Sequence, residues 1–150
     1  MRIHRLQQRQ RLDQPLDAVF AFFAQARNLE QITPRWLHFE LLEPEPGEME
    51  EGTVIEYRLR LHGLPVRWTS RIEEWTPDDG FVDRQLRGPY RLWRHRHTFV
   101  ADGDGTIVGD EVEYALPLGA FGDLAHSFVR RDLRRIFAYR RQAVSRLLAS

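Results

Sequence analysis

The 150 residues include 22 arginines, 22 acidic residues, no lysine and no cysteine, so the formal charge at neutral pH is zero. Without a global positive field the chain is not expected to bind nucleic acid, and without thiols it has no disulfide, thiolate metal site or cysteine nucleophile. A hydrophobic fraction of 42% with nine Phe, four Trp and four Tyr is that of a folded chain, and the length suits one domain, 1–150, around a single core.

Residues 2–12 are polar, with Ile3, Leu6 and Leu12 thinly spaced, which predicts an edge strand. A helix follows over 13–26: Pro15 suits its first turn, Asp17 its positive end, and Val19, Phe20, Phe22 and Phe23 fall at helical spacing. A second short helix, 27–33, ends before Pro34. Strands then take over, starting at 38–42. After an acidic loop (44–52), residues 53–61 alternate, with Ile55, Tyr57, Leu59 and Leu61 on one side and Glu56, Arg58 and Arg60 on the other. Turns at Gly63-Leu64-Pro65, 77–80, Gly88-Pro89 and 102–105 separate strands at 66–75, 81–87, 90–101 and 106–116, an antiparallel meander. The last segment, 121–148, carries one apolar stripe that includes Phe121, Phe128, Leu133, Ile136, Phe137 and Val144 and predicts a long helix.

One helix cannot cover both faces of so wide a sheet, so one face is expected to be wet. The alternating Glu56, Arg58, Arg60, Arg94, Arg96, Glu111 and Glu113 fit that face. The other face is bulky, and periodicity alone does not separate a solid α+β core from one enclosing a void. No apolar run resembles a signal peptide or reaches the ~18 residues of a membrane span. A cytoplasmic protein without stable membrane insertion is therefore expected.

Several motifs resemble one known group. They are Val19-Phe20-x-Phe22-Phe23, Asn28-Leu29-x-x-Ile32-Thr33-Pro34, Gly63-x-Pro65-x-x-Trp68, and Phe81-Val82-Asp83-x-Gln85-x-x-Gly88-Pro89-Tyr90-x-x-Trp93-x-His95-x-His97-x-Phe99, followed by Asp110-x-Val112-x-Tyr114-x-x-Pro117 and Ile136-Phe137-x-Tyr139-Arg140. Together they resemble the bacterial ligand-binding proteins of the SRPBCC superfamily, which includes START domains, plant pollen-allergen relatives and polyketide cyclases. The resemblance spans nearly the whole chain. It implies an α+β helix-grip fold, with a curved antiparallel sheet of about seven strands around the C-terminal helix and two short helices after the first strand. It also implies a cavity between sheet and helix for a small hydrophobic ligand such as a lipid, polyketide or aromatic metabolite, and no cofactor.

Strand parity places Trp93, His95, His97 and Phe99 on one face, puts Asp83 and Gln85 with Phe81, and puts Asp110 with Val112 and Tyr114. Arg140 lies near the helix stripe. Asp83, Gln85, His95, His97, Asp110 and Arg140 are thus placed to converge, either satisfying one another as buried polar groups must or anchoring a ligand. Trp36, Tyr57, Leu59, Trp68, Trp93, Tyr114, Phe128, Leu133 and Phe137 complete the expected apolar lining. An enzyme of cyclase or dehydratase type would use His95 or His97 as a base oriented by Asp83 or Asp110. No nucleophile or cofactor motif accompanies them, and a metal site built on His-x-His is not expected. The basic run from Arg130 to Arg135 reads as a solvated helix face, with transient membrane contact as its alternative. An accessory domain acting through a protein partner is a further possibility that no residue singles out.

Overall fold

The computed structural model describes residues 1–119, 122 and 124–149. Seven strands form one antiparallel sheet in the order β1-β7-β6-β5-β4-β3-β2. They are β1 (His4–Leu12), β2 (Glu40–Leu41), β3 (Val54–Leu61), β4 (Leu64–Thr76), β5 (Gly80–Arg87), β6 (Leu92–Asp102) and β7 (Gly105–Ala115). Helices α1 (Leu16–Phe23) and α2 (Asn28–Ile32) and a single 3₁₀ turn (Arg35–Leu37) lie between β1 and β2, and the long helix α3 (His126–Leu147) closes the chain. This is the helix-grip arrangement. The expected start of the last helix, Phe121, lies outside the described residues.

The hairpins follow the turn chemistry with one shift. Between β3 and β4 the turn is His62-Gly63, both at positive φ (51° and 83°), the two-residue geometry that matches strand twist. Leu61 therefore pairs Leu64, and Pro65 belongs to β4 opposite Arg60 instead of to the turn. Pro65 is tolerated because β5 meets β4 only from Thr69 onward, so no neighbouring strand needs its missing N–H.

Two bulges bend the sheet. Between β4 and β5 the pairing passes from Thr69↔Arg87 to Ser70↔Gln85, leaving Leu86 extra, and from Ile72↔Asp83 to Glu74↔Val82, leaving Glu73 extra. Each extra residue adds local twist, and the second resets parity so that Trp75 joins Trp68, Ser70 and Ile72 on the inner face. The outer face is charged: Arg94 reaches Glu73 (3.2 Å), Glu74 (3.2 Å) and Glu113 (3.7 Å), and Arg96 reaches Glu74 (3.0 Å). Such solvent-exposed pairs contribute at most about 1 kcal/mol each.

The inner face packs as two apolar clusters. One gathers Phe20, Phe23, Ile55, Ile72, Phe81, Phe99 and Val144 beneath α1 and the end of α3. The other gathers Leu59, Trp68, Trp93, Tyr114, Leu133 and Phe137 under the first half of α3. The site lies on the seam between them.

Candidate functional site

A cavity of about 160 Å³ occupies that seam and takes its walls from both clusters: Phe23, Ile55, Ile72 and Phe81 on one side, Leu59, Trp68, Trp93, Leu133 and Phe137 on the other. An apolar cavity of roughly 150 Å³ is large enough for a benzene-sized molecule. Its rim includes the half-buried Leu29, Thr33, Phe39, Leu61 and Ile136, contributed by α2, the segment after the 3₁₀ turn, β3 and α3. The walls are rich in rings: Trp93 stands edge-on to Trp68 (5.3 Å, 90°) while Tyr57 stacks on Trp68 (5.8 Å, 17°).

Polar groups are gathered along one strip of this wall. On β6, His95 and His97 stack on each other at 3.7 Å between ring centroids, and Phe81 stacks on His97 from the other side at 4.1 Å. From β5, Asp83 Oδ2 lies 2.6 Å from His97 Nε2. From β7, Asp110 Oδ1 lies 2.7 Å from His95 Nε2. From α3, Arg140 Nη2 reaches Asp110 Oδ1 at 3.3 Å and His97 Nδ1 at 3.4 Å. Arg140 also sits over the Phe23 and Phe137 rings at 5.5 and 5.9 Å.

This network fixes protons. A guanidinium only donates, so His97 Nδ1 is the acceptor and Nε2 carries the hydrogen given to Asp83. His97 is then a neutral imidazole, in agreement with burial, His95 and Arg140 together pushing its pKa down to about 4 against the pull of Asp83. Burial on its own would raise both carboxyls. Asp83 is nevertheless held below the usual range by its hydrogen bond and attraction to His97, aided by His95 and Arg140. Asp110 is held far below it by Arg140 and His95. Burial and the Asp83 charge push the Tyr57 phenol well up, against a hydrogen bond to Ser70.

Two acceptors are left over. Among the described residues, His95 Nδ1 and Asp83 Oδ1 have no hydrogen-bond partner. Both residues line the cavity, and the Asp83 side chain keeps 19% of its surface accessible. Asp83, His95 and His97 also offer one ligand atom each within 4.8 Å, a set that could hold a metal ion. However, a metal on His97 Nε2 would need the proton moved to Nδ1, where it would face the Arg140 donor, so the second shell opposes that use.

The fold and this walled seam place the chain among known proteins. The family model described as polyketide cyclase / dehydrase and lipid transport matches residues 12–138. The chain belongs to that family. Similar solved structures include the ZhuI aromatase/cyclase from Streptomyces sp. R1128 (TM-score 0.76, 18% identity, 95% of this chain and 92% of that one). Others are CV1439 from Chromobacterium violaceum (0.76, 12%, 97% of each) and a START superfamily protein from Mycobacterium smegmatis (0.68, 11%, 96% and 99%). At these identities they speak for the fold alone. No curated protein matches the sequence.

Within this family frame, Tyr57, Leu59, Trp68, Asp83, Trp93, His95, His97, Leu133, Phe137 and Arg140 all reach the cavity. Five expected lining residues do not. Trp36 is 43% exposed because the 3₁₀ turn sends Leu37 inward and lays Trp36 on Tyr139 (5.7 Å) and Arg135 (5.0 Å) outside α3. Phe128 is 59% exposed against His62. Counting back one 3.6-residue turn from Leu133 arrives at Val129, which leaves Phe128 off the buried stripe. Tyr114 is fully buried but bonds His126 Nε2 through its hydroxyl (3.0 Å). Gln85 turns away to clamp the next turn, donating to Tyr90 O (2.7 Å) and accepting from Tyr90 N (3.2 Å). A Cβ on Gly88 would fall 2.5 Å from the Gln85 amide oxygen and would displace the clamp. Asp110 stands behind the wall, where it holds His95 and Arg140.

Sequence reasoning missed Ser70, Tyr90, Met49 and Phe39, which also line the cavity. Ser70 shares the parity of Trp68 and Ile72, so its inward direction was readable. Its hydroxyl accepts from Trp68 Nε1 at 2.9 Å. Met49 had no such signal. It is buried because the acidic loop folds back, with Met49 N bonded to Ala24 O at 3.0 Å.

Proposed function

We propose that the protein binds a small, flat, largely apolar molecule in the seam between sheet and α3. One observation carries this reading: the cavity is walled by Trp68, Trp93, Tyr57, Leu59 and Phe137 and carries a few polar groups, chief among them Asp83, His95, His97 and Arg140, the composition of a small-molecule site. The strip orients the ligand while the rings supply the affinity. Native mass spectrometry of the purified protein, with organic extraction of whatever co-purifies, tests it together with a fluorobenzene titration followed by ¹⁹F NMR. Saturable one-to-one binding is expected. A protein that carries no small molecule and takes up none of the probe would overturn the reading.

A second reading has its own support. Asp110 holds His95 by Nε2 and leaves Nδ1 toward the cavity, the orientation of a general base fixed by a carboxylate. In that role the protein would remove a proton from a bound substrate in a cyclisation or dehydration. A general probe is 5-nitrobenzisoxazole, whose ring C–H is removed by any base positioned in an apolar site. Turnover above buffer that disappears in His95→Gln is expected on this reading, and turnover no faster than that of His95→Gln counts against it.

A further inference from the structure

The atoms that the polar strip leaves unsatisfied are of one kind. Arg140, the charged donor lining the cavity, is already committed to Asp110 and His97 and lies over two rings. Thr33 gives its hydroxyl hydrogen to Leu29 O (2.5 Å), and the Trp68 indole gives its own to Ser70. The Nε2 hydrogens of His95 and His97 are taken by Asp110 and Asp83. Within the strip, what is left without a partner is a carboxylate oxygen and an imidazole nitrogen, Asp83 Oδ1 and His95 Nδ1, both acceptors; outside it, the Trp93 indole N–H is a donor without a partner among the described residues. The remaining hydroxyls, on Tyr57, Ser70 and Tyr90, can act either way.

From this, and resting on the cavity being a binding site, we infer that the protein selects ring compounds bearing a neutral O–H or N–H donor, and rejects carboxylates such as fatty acids and aromatic acids. A phenol or aryl amine places its hydrogen on Asp83 Oδ1 or His95 Nδ1 and completes the strip. An unsubstituted ring leaves both acceptors buried and unpaired, and a carboxylate brings a second anion against Asp83. Hydrogen bonds to an ionised group in a dry site are worth more than neutral ones, so the discrimination is expected to be about tenfold or greater. Asp83, held in the ionised form by its surroundings, keeps this preference across the neutral range.

Single-ring probes of matched size decide it. Fluorobenzene, 4-fluorophenol, 4-fluoroaniline and 4-fluorobenzoate are titrated at pH 7.5 and followed by ¹⁹F NMR. The phenol and the aniline are expected to bind at least about tenfold more tightly than fluorobenzene, and the benzoate more weakly than fluorobenzene. In Asp83→Asn the phenol's advantage is expected to shrink and the benzoate's handicap to lessen. If fluorobenzene binds and the phenol and aniline gain nothing over it, or if the benzoate binds best, the donor selection is wrong while the cavity remains a binding site. If none of the four binds, both readings fall. The wild-type ranking is decisive without the variant should Asp83→Asn fail to fold.

Discussion

Arg140→Met isolates the part of the network that is most exposed to failure. Arg140 joins α3 to the sheet through Asp110, and their side chains are only 12% and 6% exposed. Methionine keeps the unbranched stem among Phe23 and Phe137 and deletes only the charged head. Removing one partner of a buried pair costs ~3–5 kcal/mol, mostly because the other charge is left without compensation. For a chain of this length that corresponds to a fall in Tm of roughly 6–20 °C. Urea denaturation of the wild type, Arg140→Met, Asp110→Asn and the double variant forms a cycle. If the stranded carboxylate is the cause, adding Asp110→Asn to Arg140→Met should return more than half of the loss, because the amide oxygen left at position 110 still accepts from His95. A loss below about 1 kcal/mol in the single variant, or no recovery in the double, would refute the reasoning.

Three further outcomes are expected. His97 has its folded pKa lowered to about 4, below the unfolded value of about 6.5, so as pH falls from 6.5 to 4 the unfolded chain gains a proton that the native state refuses. Stability should therefore drop by about 3 kcal/mol over that window. In urea melts at a series of pH values, His97→Gln should lose this slope. The depressed Asp83 and Asp110 carboxyls act in the same sense but in a lower window: their stabilisation is present above about pH 4 and is lost only below it. Gln85→Ala strands the amide and carbonyl of Tyr90 and should cost ~1–3 kcal/mol, with faster hydrogen exchange at the Tyr90 amide as its local mark; unchanged exchange there counts against the clamp. Trp36→Phe should leave fluorobenzene affinity within about twofold of wild type, whereas Phe137→Ala, which opens the wall, should change it more and cost ~3 kcal/mol. Isothermal calorimetry on both variants separates wall from surface.

What could be read from the residues followed the range of the signal. Period-two alternation put His95, His97, Asp83 and Trp93 on the inner face because each lies in an unbroken stretch of strand. The hairpins were legible because Asp, Gly and Pro cluster where the chain reverses. Parity fixes a face and not a destination, which is how Gln85, inward by count, spends its amide on the backbone of Tyr90. The bulge at Glu73 could not be seen, since one extra residue matters only relative to a partner strand, and Trp75 changes face because of it. Trp36 sits in a three-residue turn too short to have a period. Phe128 shows how a broad apolar stripe conceals its own edge. The hydrogen positions on the two imidazoles needed the distances of Arg140 and Asp110, which no one-dimensional pattern contains.

The guanidinium of Arg140 acts as a pin between two layers, and that decides where the molecule can give. Sliding or lifting α3 would strand Asp110 and break the contact to His97, so the helix is the stiff side of the cavity. The opposite rim is tethered far more lightly. Its strand β2 is two residues long, and beyond that pairing it is held by the Leu42 amide on Glu56 O (2.8 Å), the Leu41 amide on the Glu30 side chain (3.2 Å) and an exposed ion pair from Arg58 to Glu40 (3.2 Å). Of the two sides of the cavity, the α2–β2 segment is therefore the one expected to yield first under strain, and the helix the last.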